Sequence, residues 1–161
     1  MTDFNMLSDG DFVTRYASVV EHSPWVVERA AARRPFDDLA EGIMAVLDEA
    51  TPEERLSVIR AHPELAGRAA IAGTLTAASQ SEQASAGLDR MTPEAFERFH
   101  SLNAAYRERF GFPFVICVRR TDREGILRAM ADRLTNDAET EVATAIDEIG
   151  HIVRLRLETL P

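Results

Sequence analysis

"TPEERLSVIRAHPELAGR", residues 51–68, opens like a helix and closes like one. Thr51 is a natural N-cap, and Pro52 suits the first helical position, where its missing N–H leaves nothing unpaired. Glu54 stands where a capping box needs it. Leu56 and Ile59 supply an apolar stripe, and Pro63 biases His62 away from right-handed helical geometry, so the helix should end at His62. Read alone, the stretch leaves that histidine open. A capping or partly buried histidine is the commoner occupant of such a position. An imidazole aimed into a site by a fixed backbone is the alternative.

Outward from this stretch the same punctuation recurs. Ser8 can cap a helix with Phe12, Tyr16, Val19 and Val20 on its apolar side, and Ser23-Pro24 starts another with Trp25 in its first turn. "FDDLAEGIMAVLDEA" places Phe36, Leu39, Ile43, Met44 and Leu47 on one face. "AGTLTAASQSEQASAGLD" is small and polar, with Gly73 and Gly87 near its ends. "MTPEAFERFHSLNAAYRERFG" starts with Thr-Pro again and stops at Gly111, its stripe being Phe96, Phe99, Tyr106 and Phe110. "FPFVICV" is the one strand-like run, short and interrupted by Pro113. "TDREGILRAMADRLTN" offers a Thr121/Glu124 capping box with Leu127, Met130 and Leu134 inward, and a last helix runs from about Ala138. The pattern predicts an all-α fold: a compact multi-helix bundle forming a single domain over residues 1–161, with no repeat and no long linker.

Composition narrows the function. The 161 residues suffice for a real core without disulfides. A net charge of −9 argues against nucleic acid or an anionic membrane as partner, since either calls for a cationic footprint. No apolar run approaches a membrane span, and the acidic N-terminus does not resemble a signal peptide. The single cysteine, Cys117, lies in an apolar run and reads as a small core residue, consistent with a reducing, cytoplasmic location. All 18 basic residues are arginine. Without lysine there is no Schiff-base lysine, pyridoxal-phosphate lysine or P-loop lysine. His22, His62, His100 and His151 form no metal-ligand spacing, and neither a nucleophile elbow nor a dinucleotide fingerprint is present. An enzyme built from this chain works with ordinary acid–base and electrostatic groups.

Three positions could carry such chemistry. His62 is the first. Glu82 is the second: "SQSEQ" (79–83) packs hydroxyl, carboxylate and carboxamide groups densely enough to hold a small polar ring, although Ser79 and Glu82 also have capping-box spacing. Arg156 is the third. In a helix with the stripe Val142, Ile146, Ile149 and Val153, Arg156 falls about 20° from Ile149, whereas Arg154 points away. Snorkelling near the chain end and anion binding both fit it. His151 falls on the outer face, and His100, between Phe99 and Ser101, reads as structural.

"HSPWV" (22–26), "HPELAGR" (62–68), "LTAASQSEQASAGLD" (75–89), "LNAAYRERFGFPFVICVR" (102–119) and "LRL" (155–157) together resemble the OHCU decarboxylase family in order and spacing, over nearly the whole chain. Two positions depart conservatively from the family form HPDLAGK: Glu64 replaces Asp, and Arg68 replaces Lys. The resemblance implies an all-α fold and cofactor-free conversion of 2-oxo-4-hydroxy-4-carboxy-5-ureidoimidazoline (OHCU) to (S)-allantoin, in urate breakdown. It implies His62, Glu82 and Arg156 as catalytic groups. Pro63, Ser79 and Gln83 become substrate contacts, and Phe114, Val115, Ile116, Cys117 and Val118 a wall offering backbone groups. It also implies a homodimer. A lyase or hydrolase acting on a related ureido compound, and a catalytically silent helical module, are the competing functions. A silent module has no need of His62, Glu82 and Arg156 together.

Overall fold

The computed structural model describes residues 3–67 and 75–160; Arg68 and Gly73 lie outside the described residues. Eight α-helices are found there: α1 (Asp9–Tyr16), α2 (Pro24–Ala31), α3 (Leu39–Asp48), α4 (Pro52–Ala61), α5 (Ala77–Ser85), α6 (Pro93–Phe110), α7 (Arg123–Arg133) and α8 (Ala138–Thr159). Short 3₁₀ turns follow α1, at Ala17–Val19, and precede α7, at Val118–Arg120.

Each start has a local cause. Pro occupies the first turn of α2, α4 and α6. The side chains of Ser8, Asp38, Thr92 and Asp137 accept hydrogen bonds from backbone N–H groups of their first turns, at 2.7–3.2 Å. The Thr51/Glu54 capping box is complete, with both bonds at 3.1 Å. The α6 helix ends at Gly111, whose φ of 77° is left-handed and lets its N–H reach the Arg107 carbonyl at 2.7 Å.

One expected cap makes no capping bond, and two sit elsewhere. Ser23 precedes α2 but makes no capping bond, and its side chain is buried. Asp122, not Thr121, caps α7: a carboxylate accepts the Gly125 N–H at 2.8 Å more strongly than a hydroxyl one residue earlier could. Thr76, not Ser79, caps α5, which puts Ser79 inside the helix.

The long α8 is the spine. It packs on α3, α4 and the Ala17–Val19 turn; α1 packs on α2, α2 on α3, and α6 on α7. Ile149 and Val153 of α8 are fully buried with Phe12, Ile43, Leu47, Ile59, Phe99 and Met130.

The strand-like "FPFVICV" is extended but is not a strand, and no strand occurs among the described residues. Side chains take the place of a ladder partner. Arg133 donates to the Val115 carbonyl at 2.8 Å, and Glu148 accepts from the Cys117 N–H at 3.1 Å. Behind this segment lies a buried polar network. Glu141, with no exposed surface, accepts from Tyr106 (2.5 Å), Arg133 (2.8 Å) and Asn136 (2.8 Å). The Arg133 guanidinium also lies over the Phe114 ring, 4.3 Å from its centroid. Burial, reinforced by Glu141, pushes the Tyr106 phenol well above its ordinary range, so it stays a donor.

Candidate active site

His62 ends α4 as expected. Its backbone is extended (φ −76°, ψ 140°), and its N–H closes onto the Ile59 carbonyl at 3.2 Å. The imidazole is buried, and Nε2 has no hydrogen-bond partner among the described residues. Burial, joined by the positive charge of Arg156 and opposed by Glu21, pushes its pKa down to about 4. The ring is therefore neutral at pH 7.

Starting α5 at Thr76 places Ser79, Glu82 and Gln83 on one face, three and four residues apart. Glu82 receives a bidentate fork from Arg156: Nε to Oε2 and Nη2 to Oε1, both 2.9 Å. Arg156 is 6% exposed where its near neighbour Arg154 is exposed and pairs with Asp38 at 3.4 Å, as the helical phase required. Gln83 is engaged differently. Its carbonyl accepts the Ala66 N–H at 3.0 Å and its amide reaches the Glu64 carbonyl at 3.4 Å, clasping the loop after Pro63, where Ala66 is held at a left-handed φ of 53°.

These elements line one cleft. His62 and Pro63 form one side, Ser79, Glu82 and Gln83 another, and Phe114, Val115, Ile116, Cys117 and Val118 a third, with Arg156 from α8 closing it. All eleven residues singled out from the sequence therefore line one cavity. Leu65, Arg119, Ile152 and Leu155 line it as well. Cys117 is buried, and burial pushes its thiol pKa up, as befits an inert core cysteine. His100 is exposed, stacked on Phe96 at 6.3 Å, and half-buried His151 lies 3.9 Å from Glu148. Among the described residues, no cluster of His, Cys, Asp or Glu could hold a metal ion.

Sequence reasoning missed Glu21. This carboxylate is 2% exposed. It accepts from the Thr76 hydroxyl at 2.7 Å, from Ser79 by a short hydrogen bond, and from Arg156 Nη2 at 3.4 Å. Burial would raise its pKa, but the two hydroxyls and the Arg156 charge outweigh that and hold it below the ordinary carboxylate range. The available signal was an acidic residue interrupting the apolar run before "HSPWV".

Residues 5–158 match the OHCU decarboxylase family. The chain belongs to that family. It is 43% identical to the 2-oxo-4-hydroxy-4-carboxy-5-ureidoimidazoline decarboxylase of Haloferax volcanii, covering 95% of this chain and 90% of that protein. It is 40% identical to the decarboxylase of the same name from Mus musculus, covering 99% and 92%. A crystal structure of an (S)-allantoin synthase superposes with a TM-score of 0.75 and 25% identity, over 98% of this chain and 52% of that one. The fold recurs in an OHCU decarboxylase crystallised in the presence of (S)-allantoin, at a TM-score of 0.66 and 21% identity. The all-α expectation is met. No helix among the described residues is long and apolar enough to cross a membrane.

Proposed function

We propose that this OHCU decarboxylase family member decarboxylates OHCU to (S)-allantoin in urate degradation, using the cleft between His62, α5, the extended segment and α8. The observation that carries the reading is the neutral, buried imidazole of His62, its Nε2 without a hydrogen-bond partner among the described residues, on the same cavity as the Arg156–Glu82 pair.

The substrate supplies its own electron sink. The carbon that loses CO₂ neighbours a ring C=N, so the electron pair of the breaking C–C bond flows into that imine and its nitrogen takes a proton. No cofactor is required by this step. The enol that remains then loses its hydroxyl proton while the adjacent carbon gains one. Overall the carboxylate form of the substrate takes up one proton and releases CO₂. A neutral His62 acts first as a base, accepting the hydroxyl proton, and then returns a proton to carbon from one side. Delivery from one side makes the product chiral.

The other residues take supporting roles in this reading. Arg156 directs its fork at Glu82, so Glu82 is the group left to accept N–H donors of the ring and ureido, with Arg156 holding it in place and balancing charge. Pro63 and the apolar side chains of Phe114–Val118 exclude water around the departing carboxylate, and the backbone of that segment offers further contacts. We take residues 1–161 as one domain, since the cleft draws its residues from the whole span between His62 and Arg156. A cytoplasmic location is supported by the lone buried cysteine, and a homodimer by the family resemblance alone.

Freshly generated OHCU, followed by circular dichroism with the purified protein and EDTA, tests the function. The expected result is rapid appearance of optically active (S)-allantoin. Decay at the uncatalysed rate, or to racemic product, overturns it.

A further inference from the structure

The turn Val20–Ser23 is strained. His22, exposed and not glycine, sits at a left-handed φ of 51°, and the Ser23 that follows is buried without making the cap its position invites. This conformation delivers the side chain of Glu21 into the interior while its neighbour faces solvent. There Glu21 meets three groups from two distant elements: Thr76, the cap of α5, Ser79 one turn on, and Arg156 of α8.

We propose that Glu21 is a positioning residue for the decarboxylation site, acting through Ser79 and Arg156. The Ser79 hydroxyl has one hydrogen, and it is committed to Glu21. Its oxygen, which accepts weakly from Arg156 Nη2 at 3.3 Å, therefore faces the cleft only as an acceptor. Ser79 can then recognise an N–H of a ureido or ring group and cannot donate to a carboxylate. Glu21 also accepts, at 3.4 Å, from Arg156 Nη2, the nitrogen that donates to Glu82 Oε1, and so helps hold the guanidinium where Nε and Nη2 stay bidentate on Glu82. Its negative charge is the one that favours a protonated His62; Arg156 from α8 and His22 from the same turn oppose it, and Glu82 of α5 lies on the same cleft. A single buried carboxylate thus fixes the polarity of one substrate contact and the orientation of another, and biases the base.

This assignment rests on the decarboxylase reading, and its test separates the two. Glu21→Gln keeps the shape and removes the charge. In steady-state assays with OHCU it should lower kcat/KM by tenfold or more. The Glu21→Gln/Ser79→Ala double variant should lose well short of the product of the two single losses, because both act on one hydroxyl. Losses that multiply, or no loss, overturn the proposal. The second readout needs no turnover: the His62 ring resonances, followed by NMR in the free protein, should titrate at lower pH in Glu21→Gln than in the parent. A midpoint that stays or rises overturns it. Were Glu21→Gln not to fold, Glu21→Asp keeps the charge but draws it back from Ser79. It should lose kcat/KM while keeping the His62 midpoint, and full activity there overturns the proposal. A parent protein inactive on OHCU but showing the expected NMR shift removes the substrate assignment and leaves the Glu21 geometry standing.

Discussion

At the scale of single residues, His62 illustrates how a backbone restraint becomes a chemical property. Pro63 stops α4, the stop turns His62 inward, and burial beside Arg156 strips the imidazole of its proton down to a pKa of about 4. Because the neutral form is the working base, kcat/KM should be level through neutrality and fall only on approaching pH 4, not at the ordinary histidine value near 6.5. A pH–rate profile checks this, and a midpoint near 6.5 assigns the limb to another group. His62→Asn should reduce turnover by roughly 10²- to 10⁴-fold, the usual worth of a positioned acid–base group, as measured on the folded fraction. His62 and Arg156 were legible in the sequence because their placement follows from local rules, a proline after one and helical phase under the other. Glu21 was not, since an acidic residue in a turn is ordinarily solvated and its three partners lie 55 to 135 residues away.

At the scale of elements, the first and last residues of helices decided which side chains reach the cleft. With Thr76 as the α5 cap, Ser79 falls inside the helix one turn on, and from there its hydroxyl reaches Glu21 beside that of Thr76. Such one-residue or one-turn shifts lie beyond sequence reading, because Thr76 and Ser79, like Thr121 and Asp122, are both competent caps. The apolar run 112–118 was legible as extended, and the missing ladder was not, since nothing local says that Arg133 and Glu148 will serve the backbone groups a neighbouring strand would have taken. The Thr51/Glu54 box makes a clean test of cap energetics. Thr51→Ala should cost about 1 kcal/mol in urea denaturation. Glu54 is held at a pKa of about 2 first by Arg29 and then by the Thr51 backbone, against 4.5 without them. Its folded value lies below its unfolded one, so its contribution is present above about pH 4.5 and lost as pH falls toward 2. Glu54→Gln should therefore be less stable than the parent at pH 7, and the two should converge on acidification.

At the scale of the whole molecule, the cleft is where the spine helix meets parts of the chain remote in sequence. Arg156, near the end of α8, joins Glu82 of α5, the Glu21 turn and the Ser18 carbonyl in one buried cluster. A site built this way couples catalysis to folding, and two arginines on the same helix reveal the coupling. Arg154 is exposed and pairs with a half-exposed Asp38 at 3.4 Å, and Arg154→Ala should change stability and turnover little, within about 0.5 kcal/mol. Arg156→Ala strands Glu21, 2% exposed, and Glu82 without their cation, and breaking a buried pair in this manner costs about 3–5 kcal/mol. Activity should fall with it, and Arg156→Lys should restore only part of both, because a point charge cannot span Glu82 in a fork and reach Glu21 at once. The pH dependence supplies the internal check. Glu21 has its carboxyl lowered by the two hydroxyls and Arg156, so its pairing stabilises the fold above the ordinary carboxylate pKa and ceases to do so as pH falls below it. The stability gap between the parent and Arg156→Ala, read from urea midpoints, should thus be widest at neutral pH and narrow through the carboxylate range. A gap that stays constant with pH would trace the loss to packing of the arginine's aliphatic stem rather than to the charge it places between Glu21 and Glu82.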